Sequence, residues 1–191
     1  MEQTKSSIST VSGRFFDLLA PEDYAYDIEE IATALSNICR YTGHVKKFYS
    51  VAEHSVLVSR LVPERLALVG LLHDASEAFV GDVSSPFKKL LPDYRAIEDR
   101  IQEAIAKYFE LPFPFPLEVH EADKRMYWNE RQHIAPGPKD TLWHGEFRAA
   151  RKVHASGMAP LMAKRFFLKR FKEITQANGK RDQELLKERA A

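Results

Sequence analysis

Residues 66–77 read LALVGLLHDASE and carry the strongest structural signal in the chain. The first seven are apolar on most sides of a helix, which predicts a helix at the buried centre of the fold, running to about Gly81. Polar side chains follow at once, beginning with His73 and Asp74. A polar ring or a charge in such surroundings needs a partner, because burying it alone is unfavourable. The segment therefore predicts a core helix and a chemical site on it.

The sequence on both sides of this segment has helical periodicity. Apolar residues recur at helical spacing after Asp27 and after Ser50, and a glutamate three positions beyond each completes a capping-box pattern. Further helices are predicted from Asp93 to about Tyr108, from Leu117 to Ile134, and from Pro160 to about Asn178-Gly179. No convincing strand pattern occurs, so the predicted fold class is all-α.

Length and composition limit the classes of protein to which the chain can belong. A length of 191 residues suits one domain, so residues 1–191 are predicted to form it, with a loose arm over 1–13 and a charged tail over 180–191. The net charge of +1 argues against binding to a nucleic-acid polymer. Cys39 is the only cysteine, which excludes a disulfide within the chain and a cysteine-based zinc site. We expect a cytoplasmic protein with no membrane partner, since no apolar run reaches the ~18 residues of a span and the N-terminus lacks a signal core.

Polar residues elsewhere in the chain can join His73 and Asp74. Glu77 follows them by four and three positions, so it shares their face of a helix. His54 lies 19 residues before His73, where a helical hairpin would bring the two rings together, and Asp123 lies on a later predicted helix. Two imidazoles and two carboxylates suit a divalent ion with mixed nitrogen and oxygen ligands. The alternative is a core histidine with a satisfied hydrogen bond beside an exposed aspartate.

The order His54, His73-Asp74, Asp123 resembles the H…HD…D signature of the HD-domain metal-dependent phosphohydrolases, which are all-α enzymes. The resemblance covers most of the chain, from about residue 28 to residue 131. It implies an HD-domain helical bundle in which these four residues hold one divalent cation: Co, Mn, Zn, Fe, Ni or Mg.

Further residues resemble the bacterial 5'-deoxynucleotidase branch of that family. The branch carries an arginine before the first histidine, a glutamate in HDASE, and an aspartate after a glycine soon afterwards; here these are Arg40, Glu77 and Asp82. One departure is Tyr41, where the branch has tryptophan, and the loop that follows, with Lys46, also differs.

This resemblance implies hydrolysis of (deoxy)nucleoside 5'-monophosphates to nucleoside and phosphate. Glu77 would act as general base, and Asp82 would orient the water or handle the leaving oxygen. Arg40 would clamp the phosphate, with Tyr41 and Lys46 as further substrate contacts. The expected partners are a small nucleotide and a second copy of the chain in a homodimer.

Two other functions remain open at the level of sequence. The same site can release triphosphate from deoxynucleoside triphosphates, with the longer phosphate chain met by a set of lysines: Lys46, Lys47, Lys88 and Lys89. The chain can also be a nucleotide-binding regulator on an inactive HD scaffold, although every expected catalytic position is filled.

Overall fold

The computed structural model describes residues 3–135 and 153–190, with residues 180–190 as backbone only. Helices dominate these ranges, which confirms the all-α class. They are α1 (Ile28–Asn37), α2 (Val51–Val58), α3 (Ala67–Leu72), α4 (Glu77–Val80), α5 (Ser85–Lys88), α6 (Pro92–Tyr108), α7 (Leu117–His133) and α8 (Pro160–Ala190). In the described part of the chain, no helix is both long enough and apolar enough to cross a membrane.

The N-terminal residues form a small antiparallel hairpin. Strand β1 (Ser7–Ser9) pairs with β2 (Phe15–Asp17), and Ile8 lies opposite Phe16. Phe16 is fully buried and stacks on Phe79, with ring centroids 4.1 Å apart. The prediction of a loose arm over residues 1–13 is therefore wrong for β1. Strand β1 is held in place because it pairs with β2, whose buried Phe16 lies outside residues 1–13.

Glu30 attaches this hairpin to α1. Its buried carboxylate accepts hydrogen bonds or an ion pair from four side chains: Thr10 at 2.7 Å, Tyr24 at 2.7 Å, Arg14 at 2.6 Å, and Ser12. Asp27 caps α1 as predicted, by accepting a hydrogen bond from a backbone N–H of the first turn. The second half of the predicted capping box is absent at this position, because Glu30 faces the hairpin.

Helix α2 lies at the centre of the core, and all of its residues are buried. Val51 and Val56 face a cluster that includes residues of α1, α3, α6 and α8, whereas Leu57 and Val58 face a second cluster shared with α7. The Ser50 side chain caps the helix by accepting the backbone N–H of Glu53 at 3.1 Å. A side chain on α2 is therefore fixed by packing from both sides.

The helix predicted from Pro63 to about Gly81 is interrupted in the middle. Helix α3 ends at Leu72, residues 73–76 form a turn, and α4 begins at Glu77. The Gln102 side chain explains the break, since it donates to the Leu72 carbonyl and accepts the Ser76 N–H, both at 3.0 Å. It thereby takes the place of the backbone hydrogen bond that would join these two residues in a continuous helix.

The last helix is longer than predicted. It packs against α1, α2 and α3 and buries Phe167 and Ile174. The predicted stop at Asn178-Gly179 is wrong, because α8 continues to Ala190 through the charged tail. Glycine inside a helix costs only about 1 kcal/mol relative to alanine, and the residues that follow Gly179 are mostly strong helix formers.

Candidate metal centre

His54 from α2 and His73 from the turn after α3 place their Nε2 atoms 3.3 Å apart. The other nitrogen of each ring has a partner that accepts hydrogen bonds. Nδ1 of His73 lies 3.0 Å from the carbonyl oxygen of Gly70, and Nδ1 of His54 lies 2.5 Å from a carboxylate oxygen of Glu130. These acceptors place hydrogen on Nδ1, so both Nε2 atoms are oriented toward a shared position.

Two aspartates approach the same pair of nitrogen atoms. Oδ1 of Asp123 lies 3.1 Å from Nε2 of His54 and 3.9 Å from Nε2 of His73. Oδ2 of Asp74 lies 3.5 Å and 3.3 Å from the same two atoms. Two donors bound to one ion at ~2.1 Å are at most ~4.2 Å apart, so each of these distances fits a single ion.

The cluster of His54, His73 and Asp123 can therefore hold a metal ion, since one donor atom from each lies within 4.8 Å of the others. His54 is fully buried, whereas the side chain of Asp123 is 42% exposed. The cluster thus opens to solvent on the side of Asp123, where a ligand can reach it.

The electrostatics of the cluster favour a cation. Burial and the Arg40 guanidinium lower the pKa of His54, but Glu130 and Asp123 outweigh them and raise it to about 9. Burial raises the pKa of Asp123, yet the two imidazoles hold it well below its ordinary value. The negative charge of these carboxylates therefore stabilises a positive charge among the side chains, whether a proton or a metal ion.

Arg40 lies beside the beginning of α2. An antiparallel bridge pairs Cys39 with Ser50 and so holds the two ends of the intervening loop together. The Arg40 guanidinium makes only long contacts, 3.5 Å to Asp74 and 3.4 Å to Glu130, and its buried Nε finds no acceptor among the described residues. A buried cation with one unpaired donor, Nε, therefore adjoins the cluster of His54, His73 and Asp123.

The structure brings Tyr41 into the site but leaves Lys46 outside. The Tyr41 hydroxyl donates a short hydrogen bond to Glu130, and its ring centroid lies 6.3 Å from that of Tyr127. Tyr41 and Thr42 have φ values of 58° and 53°, in the left-handed region. The side chain of Lys46 is exposed, and no contact joins it to the cluster in the described residues, so its role as a substrate contact stays a prediction.

Two further carboxyl groups interact electrostatically with the cluster. Glu77 is buried, and its Oε2 has no hydrogen-bond partner within residues 3–135 and 153–190. Burial and the negative charges of Asp74 and Asp82 raise the pKa of Glu77 well above its ordinary value. Burial likewise raises the pKa of Asp82, more than the Arg40 guanidinium lowers it. Both groups therefore hold a proton more tightly than ordinary carboxyls.

Glu130 is the site residue that the sequence pattern does not single out. It is fully buried, and besides His54 it accepts a hydrogen bond from the Tyr49 hydroxyl at 2.8 Å. It lies seven residues after Asp123, which is close to two helical turns and places both on one face of α7. That spacing is the one signal in the sequence that points to it.

The other polar candidates are paired with another side chain or exposed. Lys88 pairs with Glu98 at 2.7 Å. The remaining histidines that the structure describes are exposed: His44, His120, His133 and His154. The run Ala135-Pro136-Gly137-Pro138 predicts a loop, and all of it after Ala135 lies outside the described residues, as does His144.

Comparison with known proteins gives relatives whose own names assign no activity. No family model matches the chain. It is 38% identical over 124 residues to the uncharacterized protein RCAP_rcc00048 of Rhodobacter capsulatus, covering 60% of this chain and 63% of that protein. It is 37% identical over 180 residues to the uncharacterized protein YfdR of Escherichia coli (strain K12), covering 90% of this chain and 97% of that protein. The chain belongs to the protein family of YfdR.

Proposed function

We propose that this chain is an HD-domain metal-dependent phosphohydrolase that releases phosphate from (deoxy)nucleoside 5'-monophosphates. The observation that carries the proposal is the buried Arg40 guanidinium, whose Nε has no acceptor among the described residues, beside a cluster of His54, His73 and Asp123 that can hold a metal ion. A cation-binding site next to an incompletely paired arginine suits the oxygens of a phosphate ester.

Asp74 completes the proposed ligand set, because its Oδ2 lies within 3.5 Å of both imidazole Nε2 atoms. When bound, a divalent ion would lower the pKa of a water molecule toward neutrality and polarise a phosphate oxygen. The four side chains come from α2, the turn after α3 and α7, so ion binding would also tie these elements together.

Arg40 would exchange its long contacts with Asp74 and Glu130 for a bidentate pair of hydrogen bonds to phosphate. The planar guanidinium matches two phosphate oxygens better than an ammonium group does. Tyr41 would lie beside the bound substrate, since its ring centroid is 5.6 Å from the guanidinium carbon of Arg40.

Glu77 and Asp82 would handle the protons of the reaction. A carboxylate with a raised pKa is a stronger base, and proton transfer is most effective when the pKa of the catalytic group approaches the working pH. We assign Glu77 to take the proton of the attacking water. Asp82 would orient that water or return a proton to the leaving 5'-oxygen.

The test is hydrolysis by metal-reconstituted protein across a panel of nucleotides. The panel pairs each 2'-deoxynucleoside monophosphate with its ribonucleotide and its triphosphate, and the products are separated into nucleoside, phosphate and triphosphate. We expect nucleoside and phosphate from the deoxy monophosphates, with little turnover by an Asp123→Asn control. Equal rates on the deoxy and ribo compounds would instead indicate a general nucleotidase.

The same assay distinguishes the two alternatives, a triphosphohydrolase and a nucleotide-binding regulator. Release of triphosphate would identify the triphosphohydrolase, for which Lys88 is less suited because Glu98 already neutralises its charge. Tight nucleotide binding without turnover by any metal-loaded preparation would identify a regulator.

A further inference from the structure

The two carboxylate oxygens of Glu130 contact two different parts of the site. Oε1 lies 2.5 Å from Nδ1 of the metal-site residue His54 and accepts the Tyr49 hydroxyl at 2.8 Å. Oε2 accepts the Tyr41 hydroxyl and lies 3.4 Å from the Arg40 guanidinium. One buried side chain thus connects the metal cluster with the turn that carries the proposed phosphate clamp.

The surroundings of Glu130 hold its carboxylate in one orientation. Nδ1 of His54 and the Tyr49 hydroxyl share one oxygen, and the Tyr41 hydroxyl and the Arg40 guanidinium share the other. A buried carboxylate that several donors share has little freedom to rotate, because any rotation leaves donors without an acceptor.

The turn on the Oε2 side needs such a support. Tyr41 and Thr42 are consecutive non-glycine residues with left-handed φ values, a conformation that is unfavourable unless the surroundings hold it. The Tyr41 hydroxyl anchors this turn to α7 through Glu130. The position of Arg40, the next residue back along the chain, therefore depends on the same carboxylate.

We propose that Glu130 is a positioning residue that couples the metal ligand His54 to the Arg40–Tyr41 turn, so that metal binding and phosphate binding both depend on it. Oε1 aims the His54 ring so that Nε2 faces the ion, the arrangement in which an outer carboxylate supports a metal-bound histidine. Oε2 holds Tyr41 so that Arg40 faces the phosphate. The inference rests on the proposed metal site and clamp, but it does not require hydrolysis.

Two variants of the full chain separate the two halves of this contact. Glu130→Gln keeps the shape, but its amide has one accepting oxygen where the carboxylate has two, so His54 or Tyr41 loses its acceptor. Tyr41→Phe removes only the contact to the turn. Matched controls are Glu30→Gln and Tyr26→Phe, which alter a buried carboxylate and a buried hydroxyl away from the site.

Three quantities are measured on each protein: the affinity for Co²⁺ by calorimetry, the affinity of the Co²⁺-loaded protein for inorganic phosphate, and the unfolding temperature of the metal-free protein. We expect Glu130→Gln to weaken Co²⁺ binding about 10–100-fold, the usual effect of losing an outer-sphere partner, and to weaken phosphate binding as well. Tyr41→Phe should leave Co²⁺ binding within about threefold and weaken phosphate binding about 3–10-fold, the effect of one hydrogen bond. The controls Glu30→Gln and Tyr26→Phe should bind Co²⁺ and phosphate as tightly as the parent protein does.

The outcomes distinguish this inference from the proposed function. The inference would be overturned if Glu130→Gln lowers the unfolding temperature, as Glu30→Gln is expected to do, but leaves the affinities for Co²⁺ and phosphate at the values of the parent. If that variant does not fold, Glu130→Asp, which withdraws both oxygens but keeps the charge, replaces it with the same expectation. A parent protein that binds no Co²⁺ would overturn both proposals. The expected affinity changes in a protein that hydrolyses no nucleotide would support the inference and reject the proposed function.

Discussion

Nδ1 of His73 lies 3.0 Å from the carbonyl oxygen of Gly70, so the residue that allows close packing of α3 also orients a ring of the metal cluster. A Cβ on Gly70 would lie 3.1 Å from the Cα of Ser59 and 3.1 Å from a methyl group of Val62. Helix packing and ligand orientation therefore depend on the same short segment.

Gly70→Ala should destabilise the protein by about 1–3 kcal/mol, the usual effect of overpacking a core, and weaken metal binding by displacing His73. Urea denaturation with and without metal measures both effects. Gly179→Ala is the matched control, since its added Cβ meets nothing and replaces a poor helix former. A Gly70→Ala protein as stable as the parent would show that the close approach is easily relaxed.

Asp74→Ala should lose both bound metal and activity. The variant lacks one of the two carboxylates proposed to bind the ion. When the ion is lost, the stabilisation that its binding gives to the fold is lost as well. Elemental analysis of the purified variant and its unfolding temperature in added metal are the measurements. The exposed Asp99→Asn serves as control, and full occupancy in Asp74→Ala would exclude this residue as a ligand.

Arg40→Lys should lower kcat/KM about 10–1000-fold, which corresponds to about 1.4–4 kcal/mol. An ammonium group keeps the positive charge but cannot donate the two parallel hydrogen bonds of a guanidinium. Steady-state kinetics on the best nucleotide of the panel test this, beside the exposed Arg95→Lys. Equal efficiency of Arg40→Lys and the parent would remove the clamp role.

Glu77→Gln should keep its metal and its substrate affinity while kcat falls about 10²–10⁴-fold, the range for loss of general-base help. The amide preserves the shape of the side chain but cannot accept a proton near neutral pH. Metal content and single-turnover rate should be measured on one preparation. Disappearance of the metal along with the activity would mean that Glu77 is a ligand or a support.

Glu30→Gln should lower the free energy of unfolding by about 1–3 kcal/mol at pH 7, because a buried charged acceptor is lost. Burial raises the pKa of Glu30, but hydrogen bonds from three hydroxyls and the Arg14 guanidinium outweigh it and lower the pKa below its ordinary value of 4.5. A depressed pKa contributes stability that is present above the ordinary value and lost as pH falls through the folded-state value.

The difference between Glu30→Gln and the parent should therefore be largest near neutral pH and shrink below pH 4.5. Urea denaturation across that range measures it. The exposed Glu103→Gln on α6 should show little difference at any pH. If the free energies of unfolding of the Glu30 variant and the parent differ by the same amount down to pH 3, the lowered pKa of Glu30 in the folded protein is contradicted.

Local patterns were enough to predict where α1, α2, α6 and α7 lie and to find the central pair of histidines. The Ser50 cap and the apolar period after it define α2, and the spacing of His54 and His73 suits two neighbouring helices. These features depend on residues close together in the chain, which is why sequence patterns reveal them.

Features that depend on distant partners could not be predicted in this way. Glu130 meets Tyr41 and His54 across 89 and 76 positions of sequence, and no local pattern records that contact. The break after Leu72 has the same origin, since Gln102 from α6 replaces a backbone hydrogen bond of the helix. In each case a side chain from a distant element decides the local structure.

The bridge between Cys39 and Ser50 has a consequence for how the protein responds to changes in the segment between them. It closes the base of that segment, so that Arg40 at one end and the first turn of α2 at the other keep their places. Surface loops closed at their base tolerate changes of length and composition far better than the elements they join. Changes of length or composition in residues 42–48 should therefore disturb Arg40 and α2 less than changes within those elements would.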